Sequence, residues 1–256
     1  AMLVLPVVLT ALVVAFDRFV RQRRAAPPVP VVPREVLLVA ALGTWSHPLL
    51  DYMNSYGIRL LMPLSGQWFY GDALYIVDPW LTGLLGIGAW VAWKSRANTA
   101  RGTRVARAAL AAAVIYVGGM YVSNLWARTA VADGLARAGR GDARFMVTPV
   151  AVNPFRREVL VDLGDRYEKG FVSFAPWPQF RPAGYGVDVN ADDPASRAAA
   201  GTALGRQYLT WSRFPFYVIQ RTDEGTVVYL NDARYSGPSG RDGWAGLRIP
   251  VSDAAR

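Results

Sequence analysis

Four apolar runs fill the first half of this 256-residue chain: Met2 to about Val14, Val36 to about Tyr56, Ala73 to Trp93, and Ala108 to Ala127. A helix needs roughly 20 apolar residues to cross about 30 Å of hydrocarbon. Three of the runs reach that length, and no water-soluble arrangement of a chain this size readily hides all four. The expected fold class is therefore an α-helical membrane domain of about four transmembrane helices over residues 1–128. A small water-soluble α+β domain with a mainly antiparallel sheet should follow over 129–256.

Charge divides the chain the same way. Residues 1–128 hold 12 Lys/Arg against 5 Asp/Glu, whereas residues 129–256 hold 16 against 14. The basic excess lies in short loops beside apolar runs, at Arg18, Arg21, Arg23, Arg24 and Arg34, and at Lys94, Arg96, Arg101, Arg104 and Arg107. Such loops stay cytoplasmic. That places 18–34 and 94–107 inside and the C-terminal half outside. A nucleic-acid partner is not expected, because the basic residues form no surface with interleaved aromatics. The absence of cysteine removes disulfides and thiolate metal sites. The first run lacks a basic n-region and a cleavage site, so it is not expected to be a signal peptide. Its abrupt apolar start suggests residues upstream. Pro27-Pro28-Val29-Pro30 with Pro33 reads as a stiff connector.

In the second half, Phe145–Val152, Glu158–Leu163, Gly170–Ala175, Phe216–Arg221 and Thr226–Asn231 read as strands, with turns at Asn153-Pro154 and Asp223-Glu224-Gly225. Arg128 to Arg140 reads as an amphipathic helix. Pro194 to Ser212 reads as a helix with Asp193 as its cap and Pro194 at its first position. Trp177, Tyr185, Trp211 and Trp244 are expected to pack rather than to form a ligand platform.

The chemistry concentrates around the only histidine. His47 and Asp51 are four residues apart, and on a helix they share one face with Thr44 and Asn54. A carboxylate at membrane depth costs about 2.5–3.5 kcal/mol on insertion scales, which makes it a functional-site candidate. The plainer alternative is that Asp51 marks the water interface and His47 bonds a neighbouring helix. Pro48 either interrupts one helix or begins a second one. Residues 57–72, with Gly57, Pro63, Gly66, Gly71 and the aromatic cluster Trp68, Phe69 and Tyr70, read as a loop or re-entrant segment. Imidazole and carboxylate together suit zinc and other divalent first-row metals. The candidate metal ligands are His47, Asp51, Asp72 and Asp78, with Asp51 and Asp78 also the candidate catalytic carboxylates. The cofactor expected is a divalent metal ion, zinc first. The glycines of Gly83-Leu84-Leu85-Gly86-Ile87-Gly88 lack a downstream Lys-Ser/Thr and read as helix packing.

The ordered string Ser46-His47-Pro48-Leu49-Leu50-Asp51-Tyr52-Met53-Asn54-Ser55-Tyr56-Gly57, Leu61-Met62-Pro63-Leu64-Ser65, Trp68-Phe69-Tyr70-Gly71-Asp72 and Ile76-Val77-Asp78-Pro79-Trp80 resembles the YdjM-type inner-membrane proteins. The resemblance is dense over 35–93 and loose beyond. It implies a multi-pass protein of the bacterial envelope, with metal-dependent hydrolase activity and Asn54 supporting the ligands from behind. The helix carrying His-x-x-x-Asp is also similar, over a short stretch, to a metal-binding helix of the zinc-dependent phospholipase C and nuclease group. The further Thr-His segments usual in the family do not occur in this sequence.

Three functions remain open at this level. The first is hydrolysis of a lipid or other phosphoester where the membrane meets water. The second is a non-catalytic membrane protein whose outer domain binds a partner. The third is a transporter-like ion pathway through intramembrane carboxylates.

Overall fold

The structure is a computed structural model that describes residues 2–23, 30–95, 98–223, 225–237 and 245–251. Arg24, the connector residues Pro27 to Val29, Arg96, Glu224 and Trp244 lie outside the described residues. The chain forms two compact units, Ala1–Val77 and Asp78–Arg256.

In the first unit, α1 (Val4–Gln22) packs against α2 (Pro33–Met53). The helix of α1 outlasts the apolar run because Asp17 and Arg21, one turn apart, pair at 2.9 Å. α2 opens with Pro33 at its first position and Glu35 in its first turn, both suited to a helix N-terminus. It passes through Pro48 without a break, so Pro48 lies inside one helix and leaves the Thr44 carbonyl without its helical donor. Both helices turn apolar side chains outward: Leu12, Phe16, Val39 and Leu49 are all exposed.

The segment after α2 is tied down. Asn54 Oδ1 accepts from the N–H groups of Tyr56 (2.7 Å) and Gly57 (3.3 Å), closing an Asx turn. Gly57 has φ 86°, and a Cβ there would fall 2.3 Å from the Tyr70 ring. Ile58 then bridges Phe69, and Asn54 bridges Leu74. The N–H of Gly71 bonds the Tyr52 carbonyl, and those of Ala73 and Leu74 bond the Met53 carbonyl. Carbonyls at the end of α2 that would otherwise be orphaned thus find partners.

In the second unit, α3 (Pro79–Lys94) begins six residues later than the apolar run alone suggests. Residues 73 and 74 are bonded to the end of α2, and Asp78-Pro79 supplies a cap followed by a first-turn proline. α4 (Thr99–Arg137) is one uninterrupted helix of 39 residues. The expected amphipathic helix after residue 128 is its continuation. α4 is the one helix among the described residues long and apolar enough to cross a membrane. α3 and α4 touch where Gly88 meets Ala109; a Cβ on Gly88 would lie 2.3 Å from the Ala109 Cβ. Small residues allow such close helix approach. Gly83 and Gly86 meet nothing comparable.

The C-terminal half of α4 carries a meander of β1 (Arg144–Pro149), β2 (Arg156–Asp162), β3 (Arg166–Ser173) and β4 (Gln179–Asp188), all antiparallel. Ala127, Val131 and Leu135 of α4 bury against Val147, Val159, Val161 and Val172. Next come α5 (Pro194–Gly201) and α6 (Ala203–Trp211), then β5 (Pro215–Thr222), β6 (Gly225–Asp232) and β7 (Leu247–Val251) as a second antiparallel sheet. The single helix expected over 194–212 breaks at Thr202, whose extended backbone ends α5 and whose hydroxyl accepts from Gly205 N to start α6. Asp193 caps α5 as expected. Tyr167 and Phe214 pack edge to face at 5.5 Å in the core joining the two sheets. Trp211 stacks on Tyr235, whereas Trp177 and Tyr185 are exposed.

Candidate functional site

His47 and Asp51 come together as helical spacing requires. His47 Nε2 lies 3.4 Å from Asp51 Oδ2, with the imidazole 79% exposed and the carboxylate 38% exposed. Thr44 continues this face one turn back. Asn54 does not extend it, because the helix ends at Met53 and the Asn54 amide oxygen is spent on the Asx turn. The stripe is therefore a histidine–carboxylate pair on the outer surface of α2.

Asp72 belongs to the same unit. It is 1% exposed and sits at φ 51°, between the Gly71 and Ala73 N–H groups that bond the end of α2. Aspartate tolerates that left-handed backbone better than most residues. A buried carboxylate in a tight corner suits loop construction as well as ligation.

Asp78 belongs to the second unit, where it is engaged on all sides. Its Oδ1 accepts from the N–H groups of Trp80 and Leu81 at 3.0 Å each, forming the N-cap of α3. Tyr116 Oη donates to the same carboxylate, 3.0 Å from either oxygen. Further along α4, Arg157 from β2 is completely buried. It donates to the Met120 carbonyl at 2.8 Å and to the Ser123 hydroxyl. Burial lowers the Arg157 pKa to about 10, partly offset by Tyr116 and Asp78. The guanidinium therefore stays charged at neutral pH.

The four candidate ligands thus take three different situations: an exposed pair, a buried loop carboxylate, and a helix cap. Among the described residues, no group of three or more His, Asp or Glu side chains is placed to hold a metal ion. The pair offers the right donor chemistry for a borderline divalent ion, but two donors make an incomplete centre. Tyr116 and Arg157 were not singled out in the sequence. An arginine opening a strand reads as a surface residue, and a tyrosine in an apolar run reads as lipid-facing. Only the long-range packing of β2 on α4 reveals them.

Residues 1–127 match the family model described as YdjM inner membrane protein. No curated protein and no solved structure matches the chain.

Proposed function

The chain belongs, through residues 1–127, to the YdjM inner membrane protein family, and from that premise we propose a multi-pass protein that holds its C-terminal α+β region on the extracytoplasmic side. The apolar side chains that α1, α2, α3 and α4 turn outward support several membrane crossings. Arginine and lysine gathered before Arg34 and between Lys94 and Arg107 support the orientation. The chain carries no cysteine, so Asp165→Cys introduces a single thiol in the exposed turn between β2 and β3. An impermeant maleimide added to intact spheroplasts should label it fully. Labelling only after lysis overturns the orientation.

The activity proposed is metal-dependent hydrolysis of a lipid or other phosphoester at the membrane–water boundary. The observation that carries it is the exposed His47–Asp51 pair on a helix otherwise rich in apolar residues. His47 and Asp51 would supply two ligands, with Asp72 a further carboxylate of the same unit. A bound divalent ion supplies a water of lowered pKa as nucleophile. His47 and Asp51 would hold the ion, and their exposure leaves them open to substrate. Because the pair alone is an incomplete centre, a third protein ligand is required. Asp78 is a poor choice for it, since a carboxylate already accepting two backbone N–H groups and a tyrosine hydroxyl has little left to give.

Elemental analysis of detergent-purified full-length protein tests this reading. Stoichiometric divalent metal is expected in wild type, with near-complete loss in His47→Ala and in Asp51→Asn and retention in Asp78→Asn that remains folded. Metal content unaffected by His47→Ala sinks the hydrolase reading. The engaged state of Asp78 then favours the second reading, a non-catalytic membrane protein that displays its outer sheets to a partner.

A further inference from the structure

The six residues joining β1 to β2 are Val150-Ala151-Val152-Asn153-Pro154-Phe155. Five are apolar, and the largest are the most open: Val152 is 67% exposed and Phe155 75%. The next turn of the same sheet, Leu163-Gly164-Asp165, has ordinary polar chemistry, with Asp162 Oδ1 accepting from Gly164 N at 3.0 Å. Apolar exposure is thus concentrated at one end of the sheet, the end that points back along α4.

Three contacts fix how far back it points. Asp78, at the start of α3, bonds Tyr116. Trp80, two residues on, donates its indole N–H to the Val152 carbonyl at 2.9 Å. Arg157, just beyond the loop, donates to the Met120 carbonyl at 2.8 Å. The loop therefore lies level with residues 116–120 of α4, inside the apolar run Ala108–Ala127. Six residues, or about 9 Å of helix axis, separate Met120 from Trp126. Over that stretch Val122, Leu125 and Trp126 are themselves exposed.

The loop is also equipped for a place poor in water. The Val152 carbonyl is taken by Trp80, the Phe155 N–H by Asn153 Oδ1 at 3.0 Å, and the Arg156 N–H by the Asn153 carbonyl at 3.2 Å. Irregular backbone survives near hydrocarbon only when its polar groups find partners within the protein. Beside the loop runs a groove of about 680 Å³ lined by Trp80, Leu84, Tyr116, Val152 and Phe155, among others, almost entirely apolar. Tryptophan and tyrosine in such a position are the side chains that favour the headgroup boundary.

We propose that the β1–β2 loop is a membrane-dipping element. Val152 and Phe155 enter the outer leaflet beside the start of α3, and lipid acyl chains fill the groove against Trp80 and Leu84. The loop thereby seats the outer sheet on the bilayer. This rests on the reading of α4 as a membrane span, and the test separates the two. In the cysteine-free background, nitroxide labels are placed singly at Phe155→Cys, Val152→Cys, Asp165→Cys and Ile115→Cys, the last on the exposed face of α4. The full-length protein is reconstituted in phosphatidylcholine–phosphatidylglycerol vesicles. Collision with oxygen, which partitions into lipid, is compared with collision with a water-soluble nickel chelate. The oxygen-to-nickel ratio at 152 and 155 should exceed that at 165 several-fold and approach that at 115. A lipid-like ratio at 115 with an aqueous ratio at both 152 and 155 overturns the dipping loop and leaves the span intact. An aqueous ratio at 115 overturns the span, and the dipping loop with it. Weak collision with both reagents at 152 and 155 means that protein covers them, which overturns the lipid assignment.

Discussion

Asp232→Ala is expected to destabilise the C-terminal sheets by about 3–5 kcal/mol, the usual cost of removing one partner from a buried ion pair. Asp232 and Arg234 are almost wholly buried, joined by an Oδ1–Nε contact at 2.9 Å. The same carboxylate accepts from Ser212 Oγ at 2.7 Å, Arg213 N at 2.8 Å and Arg234 N at 2.9 Å. It therefore joins the end of α6, the start of β5 and the end of β6. The Arg234 guanidinium in turn lies over the Trp211 and Tyr235 rings, at 4.8 and 5.0 Å from their centres. Alanine would leave that cation buried without its counter-charge. Amide hydrogen exchange on the detergent-solubilised full chain should show protection lost across β5 and β6, with the α3–α4 pair unaffected. Protection equal to wild type in β6 would contradict the assignment.

The same carboxylate gives the C-terminal sheets an acid limit. Burial alone would raise its pKa, but hydrogen bonds and charge from Arg234, with the Ser212 hydroxyl, outweigh burial and hold it below the ordinary 3.8. A carboxylate with a lowered folded pKa contributes stability that is complete above the unfolded value and lost as pH falls through the folded one. Exchange protection in β6 should therefore be level above about pH 4 and decline below it. In Asp232→Asn, protection should start lower and change less with acid.

Arg157→Met is expected to cost about 3 kcal/mol, from the loss of the two hydrogen bonds that the buried guanidinium donates to the Met120 carbonyl and the Ser123 hydroxyl, together with lost packing. For a unit of this size that corresponds to a melting point lower by about 6–12 °C. Methionine keeps most of the aliphatic stem, so the loss reports mainly on the hydrogen bonds. Arg157→Lys should fall between, because an ammonium cannot reproduce the guanidinium fork. A melting point unchanged in Arg157→Met would mean that the valine core between α4 and the sheet holds them together unaided.

The helices were legible because apolar length is a strong signal that needs no tertiary knowledge. Their ends were less so. Hydropathy extends the third run back to Ala73, yet Asp78-Pro79 sets the helix start, and backbone bonding to the end of α2 claims residues 73 and 74. β4 escaped notice because Pro182, Gly184 and Gly186 interrupt any strand pattern. The close packing of Gly186 on the Tyr167 carbonyl, which a Cβ would approach to 2.1 Å, explains a glycine there. β7 is only five residues long. At the site, His47 and Asp51 were found from spacing because a helix brings i and i+4 together. Asp78 was noticed for its charge in an apolar run, but hydropathy cannot tell a ligand from a cap. The Tyr116 hydroxyl that also bonds this carboxylate comes from 38 residues away, beyond any local pattern. The motif Asn54-x-x-Gly57 is accounted for in the same way, as an Asx turn closed on a glycine that the Tyr70 ring leaves no room to enlarge.

The unbroken course of α4 has a mechanical consequence. From Thr99 among the cationic residues to Arg137 under the sheet, 39 residues form a rod about 58 Å long. Gly118-Gly119 do not interrupt it. A rod without a joint works as a lever. Tilting it by about 10° around its basic end sweeps Arg137 through about 10 Å, and tilt is how a helix answers a change in bilayer thickness. The sheet bolted to its far half by Arg157 and the valine core must travel with it.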